Sequence, residues 1–171
     1  MLKTRTRVAI FLIVFVVLSA ILAYSSSIVL SSADAQSLSQ GVEGIKDSVV
    51  GIFENNVQIA LVEFVPGFGP AFGAYSSYDT GLAIAALAQS SPTSGLSGPE
   101  LFFVLLLTPI YWVEFTCYSL AVEESIAIMI SLKERTFRTA EWKWLVGSIL
   151  FVVATLFVSA GLEVDLINFL K

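Results

Sequence analysis

The chain of 171 residues is 56% hydrophobic and 13% charged, with a mean hydropathy of +0.85. Soluble domains carry about 25% charged residues, and a chain this short has no core large enough to hide so much apolar surface, so lipid is the expected solvent. The net charge of −5 leaves no broad basic face for nucleic acid, and the absence of histidine removes imidazole metal ligands and the usual general base.

In chain order, Val8 to Leu30 is an uncharged, mostly apolar run, long enough to span lipid as a helix at ~1.5 Å per residue. Lys3, Arg5 and Arg7 precede it. Ala33-Asp34-Ala35 has the small-residue pattern of a signal-peptidase site. The apolar run nevertheless exceeds the ~7–15 residues of a signal sequence, so a retained first helix is expected. Ser31 to Ser48 is polar and reads as a loop, with room for a short interfacial helix at its end.

Val49 to Val65 is apolar again, interrupted by Glu54, Asn55, Asn56, Gln58 and Glu63. Pro66-Gly67-Phe68-Gly69-Pro70 must break any helix, since each proline lacks a donor and each glycine favours a turn. Ala71 to Gln89 follows, with Asp79 its one charge. Gly69, Gly73 and Ser77 fall four apart, as do Gly81 and Ala85, a spacing that lets helix backbones approach closely in lipid. After a Ser/Pro/Gly loop, Leu101 to Leu132 forms a long apolar run in which Pro109 should kink the helix and free a carbonyl. Lys133, Arg135, Arg138 and Lys143 then precede a last run from Trp144 to about Asp165.

The expected fold is therefore all-α: one polytopic transmembrane bundle of five helices, at 8–30, 49–65, 71–89, 101–132 and 144–165, with a Pro/Gly-broken hairpin after the second. Seven of the nine basic residues lie at the N-terminus and in the Lys133–Lys143 stretch. The positive-inside rule places both in the cytoplasm of a multi-pass cell-membrane protein whose C-terminus lies outside. Val49–Val65 is at the short end of the ~17–25 residues a span needs, so the hairpin either crosses twice or re-enters as half-helices packed within protein.

Intramembrane polar groups are the candidate functional residues. Glu114 lies deep in an apolar run, where a charged carboxylate costs at least ~2.5 kcal/mol, so it should face the bundle interior or be protonated. It reads either as a proton or cation site or as a packing hydrogen bond to Asn55, Asn56 or a carbonyl freed by Pro109. Asp79 admits the same two readings, and Glu63 adjoins the Pro/Gly break. Glu123 and Glu124 are adjacent, so one should face protein and the other the interface. Hard cations take oxygen ligands, yet a metal site shared by Glu54, Asp79 and Glu114 is not favoured. No metal or cofactor is expected. Cys117, the single cysteine, reads as a core-packing residue. The templates for P-loop, nucleophile-elbow, paired-cysteine and H-E-x-x-H chemistry are absent from the sequence, so no catalytic residues are expected.

Phe53-Glu54-Asn55-Asn56-Val57, the Gly-rich turn, Tyr78-Asp79-Thr80-Gly81, and Pro109 with Glu114 together resemble the stage II sporulation protein M-like membrane family. The resemblance covers about half the chain, Val49 to Ile130. Ile110 and Tyr111 stand where that family has His and Gly after the proline, and Asp79-Thr80 replaces its Asn. The resemblance implies a non-catalytic subunit or scaffold in contact with other integral membrane proteins and lipids. The rival reading is a transport component. Transport requires the carboxylates around one hydrated cavity, whereas a scaffold requires each buried singly and hydrogen-bonded.

Overall fold

The computed structural model describes residues 3–45, 48–90, 95–135, 137 and 139–170. Among them the chain is all-helical: α1 (Thr4–Ser26), α2 (Ser32–Ile45), α3 (Val49–Glu63), α4 (Gly69–Ser90), α5 (Gly98–Leu106), α6 (Pro109–Lys133) and α7 (Thr139–Leu170). Three of these, α1, α6 and the Thr139–Leu166 portion of α7, are long and apolar enough to cross a membrane. At ~1.5 Å per residue the 15 residues of α3 reach only about 22 Å, short of a ~30 Å hydrocarbon core. With 22 residues α4 is long enough, but Ser76, Ser77, Asp79 and Thr80 make its middle polar.

Hydrogen bonds fix the helix directions. Arg7 at one end of α1 meets Glu124 late in α6, while the Tyr111 hydroxyl early in α6 donates to Ser19 Oγ. These two helices therefore run in opposite senses. Ser148 on α7 donates to Glu124 and Ser159 to Glu114, so α7 also opposes α6. Asn56 bonds Glu114 and Val65 receives Ser125, which sets α3 alongside α6 in the same direction. Gly73 and Gly81 on α4 lie beside Leu18 and Leu22 on α1, so α4 runs with α1.

The sixth helix is the core. In its most apolar stretch 61% of residues are buried, against 22% in α1 and 28% in α7, so α6 is wrapped by protein while the other two face outward. One apolar cluster, with Leu18, Leu22, Ile84, Phe115 and Val122, joins α1 and α4 to one side of α6. A second, with Ala60, Phe64, Cys117, Ala121 and Leu156, joins α3 and α7 to its other side. Cys117 is fully buried there. Burial on both sides explains why α6 shows no polar stripe in sequence.

Several boundaries differ from the sequence reading. Residues 32–45 form a 14-residue helix where a loop was expected. It lies along α4, burying Ala35 and Ser39 one turn apart, with Ser90 donating to the Ala35 carbonyl. Pro109 starts a helix instead of kinking one: Thr108 caps α6 by accepting from the Tyr111 amide, and proline occupies a first-turn position where its missing N–H costs nothing. The Thr108 hydroxyl donates to the Leu105 carbonyl (2.7 Å) and the Trp112 indole to the Leu106 carbonyl (2.9 Å), so the carbonyls left at the break are satisfied locally. The basic stretch splits as well, since α6 ends at Lys133 and Lys143 already lies within α7. Arg138, together with Lys46 and Asp47 of the earlier polar stretch, lies outside the described residues. The predicted break between α3 and α4 is present, with Gly67 at φ +80 in its turn.

Close backbone approach is concentrated at glycines. A Cβ on Gly81 would collide with Ser25 Oγ and the Leu22 carbonyl of α1. One on Gly69 would strike the Glu63 carbonyl and Ser125, and one on Gly73 would press on Val122. Gly98, which the sequence reading passed over, seats α5 on the Ser26 carbonyl and the Ala85 Cα.

Candidate functional site

Two polar clusters lie between the helices. The first is built around Glu114, one and a half turns into α6. Asn56 on α3 donates its Nδ2 to Glu114 Oε1 (2.8 Å), and Ser159 on α7 donates to the same oxygen (3.1 Å). The carboxylate thus ties together three helices, because helix α6 sits between the two donors. Asn55 turns its amide to Asn56 Oδ1 at 3.3 Å. The carbonyls around Pro109 take no part, contrary to one expectation for Glu114.

These groups face a cavity of about 530 Å³ among α1, α3, α4, α5, α6 and the end of α7. Its polar lining includes Asn55, Asn56, Ser76, Asp79, Glu114 and Glu163, and among the described residues no lysine or arginine borders it. Asp79 is exposed on α4, on the cavity side. Of the predicted candidates, the structure therefore brings Asn55, Asn56, Asp79 and Glu114 around one space. Glu163 joins them; its place at the end of the last apolar run gave no signal in the sequence that it would fold against α6. Glu54 is exposed and does not border the cavity. Among the described residues, no group of three Asp, Glu or Cys side chains is placed to hold a metal ion.

Glu63 stands apart. It ends α3 with a side chain only 1% exposed, and Ser76 of α4 donates to its Oε1 at 3.1 Å across the broken hairpin. Its Oε2 has no hydrogen-bond partner among the described residues. Ser76 lines the cavity while bonding Glu63, so a single hydroxyl separates the two.

The second cluster escaped the sequence reading. By sequence Arg7 is a charge flanking the first span, but α1 begins at Thr4 and carries Arg7 inward along α6. Its guanidinium donates to both oxygens of Glu124, at 2.6 and 3.2 Å, and lies 3.6 Å from Glu123 Oε2. Two parallel bonds of this kind combine strength with a fixed orientation. Ser148 on α7 donates to Glu124 Oε1 at 2.9 Å, so this carboxylate too joins three helices. Glu123 and Glu124 are 2% and 1% exposed, which corrects the expectation that one of them meets the interface. The adjacent side chains do leave α6 in different directions, but α6 is covered on both sides and Arg7 reaches the two together. A signal was present: a basic residue at the edge of an apolar run and two acidic ones inside another run have no better partners in a membrane.

No family model, curated protein or solved structure matches the chain.

Proposed function

We propose that the protein is a multi-pass, stage II sporulation protein M-like membrane subunit that acts as a non-catalytic scaffold within a larger complex of integral membrane proteins. The observation that carries this reading is how the buried carboxylates are used. Glu114 takes bonds from α3 and α7, Glu124 from α1 and α7, and Glu63 from α4. Each locks helices to one another, as a structural role requires. The outward faces of α1 and α7 are large and apolar, with residues such as Val16, Leu150 and Phe157 open to lipid or to partner helices. In this reading α3 and α4 cross alongside the three apolar helices, giving five crossings with the N-terminus in the cytoplasm and the C-terminus outside. The alternating directions of α1, α3, α4, α6 and α7 support that count.

One observation favours a second reading, a transport component. Asp79 and Glu114 border the same cavity, and among the described residues no basic side chain lines it. That geometry supports a proton or cation path, although Glu63 lies outside the cavity.

Purification of the tagged full-length protein in a mild detergent, with mass spectrometry of what accompanies it, separates the two. A reproducible set of membrane proteins is the result expected of a scaffold. An isolated chain whose ion flux in liposomes is abolished by Glu114→Gln or Asp79→Asn would replace the scaffold with the transport reading.

A further inference from the structure

The helices α1 and α7 both pack on α6, yet among the described residues their backbones do not approach each other. Between them lies a groove of about 540 Å³, floored by α6. Val8, Phe11, Leu120 and Phe151 make its walls apolar. Thr4 and Lys143 lie at one end, where the Arg7 guanidinium stands 5.7 Å from the centre of the Trp144 ring and spans the gap. From Thr4 to Phe11 and from Lys143 to Phe151 the groove runs about 10–12 Å at ~1.5 Å per residue. That covers most of the ~15 Å depth of one leaflet.

The two ends of this groove differ chemically. Glu123 and Glu124 border it, but they are buried and turned to Arg7, whereas Lys143 is exposed. The exposed charge at the mouth is therefore the Lys143 ammonium, beside a hydroxyl and an indole, and the outer walls are mostly hydrocarbon. Gly147 on α7 also lines the groove, and a Cβ there would meet nothing within 4 Å. The space beside it is open.

We propose that this groove holds one acyl chain of an anionic phospholipid, with the lipid phosphate at Lys143. The lipid completes the wall that α1 and α7 leave open, and Trp144 sits at headgroup depth, where amphipathic rings are favoured. This inference stands independently of whether the protein is a scaffold or a transport component.

Native mass spectrometry of the full-length protein tests it, using phosphatidylglycerol and phosphatidylcholine with identical chains. The wild type is expected to retain phosphatidylglycerol about five-fold more than phosphatidylcholine, the preference one basic group near the headgroup confers. Gly147→Leu fills the open space and should remove most of the bound lipid. Gly161→Leu, also on α7 with nothing within 4 Å of its Cβ but outside the groove, should leave binding unchanged. Lys143→Gln alters one exposed side chain and should abolish the headgroup preference. Equal retention of the two lipids by the wild type, or undiminished binding by Gly147→Leu, would overturn the proposal. So would loss of a co-purifying protein from Gly147→Leu with its lipid count intact, because the groove would then belong to a partner helix.

Discussion

The two polar clusters share one design and differ in one respect. Each centres on an α6 carboxylate that joins three helices, and each takes a serine hydroxyl from α7, Ser148 at Glu124 and Ser159 at Glu114. The Glu124 cluster contains a cation, Arg7, whereas among the described residues none borders the cavity at Glu114. Where the cation is present, the carboxylate is committed: it is buried and held by two bonds from one guanidinium. Where it is absent, the carboxylate relies on neutral donors and opens onto a space with Asp79 and Glu163. The first arrangement fixes α1 and α7 on α6, and the second leaves open space beside the carboxylate.

The sharpest way to break this comparison is to remove the cation. Arg7→Met should leave Glu123 and Glu124 buried without compensation and cost about 3–5 kcal/mol. It should be visible as a large fall in thermal midpoint in detergent. The double variant Arg7→Met/Glu124→Met should recover much of that loss; failure to recover would show that Arg7 acts through something other than this pair.

At the other cluster the effects should be smaller. Asn56→Leu removes the α3 donor to Glu114 and should cost about 1–2 kcal/mol, near the upper range of interhelical hydrogen bonds in membranes. Glu114→Gln keeps an acceptor for both Asn56 and Ser159 and should change the thermal midpoint by less than about 1 kcal/mol equivalent. A loss at Glu114→Gln as large as that at Arg7→Met would erase the distinction between the clusters, since it would show that Glu114 has an equally demanding charge partner.

The smallest effect lies outside both. Glu100 accepts from the Ser97 amide (2.8 Å) and hydroxyl (2.7 Å) at the start of α5, and these bonds hold its carboxyl below the usual value. A carboxylate with a lowered folded pKa contributes stability above its unfolded value of ~4.3, and that contribution is lost as pH falls through the folded value. Glu100→Gln should therefore match the wild type at low pH and be slightly less stable at neutral pH. Thermal unfolding measured at both pH values checks the sign.

How much of this was legible in the sequence depended on whether the signal was local. The apolar runs of α1 and α7 and the Pro/Gly break announce themselves over a few consecutive residues, and their cores fell where expected. The role of Pro109 did not, because a proline inside an apolar run reads as a kink unless the residue before it is weighed as a cap. Thr108 is such a cap. The helix at 32–45 was missed because its polar composition resembles a loop, and burial of Ala35 and Ser39 against α4 is a tertiary matter. At the cavity, Asn56, Asp79 and Glu114 stood out as polar groups in apolar surroundings. Their convergence, and the arrival of Glu163, depend on how α7 lies against α3 and α6, which no local pattern encodes.

The pairing of Arg7 with Glu124 also has a temporal side. The two residues are 117 positions apart, so a ribosome has delivered α1 to the membrane well before the counter-charge exists. Until then a long, flexible guanidinium stays at lower cost if it reaches back to the headgroups than if it sinks with its helix. The vertical register of the first helix is accordingly expected to be set late, when the sixth arrives. Accessibility of a cysteine introduced at Thr4, followed in arrested translation intermediates of increasing length, should fall only after α6 has emerged; protection already present at short lengths would contradict this order.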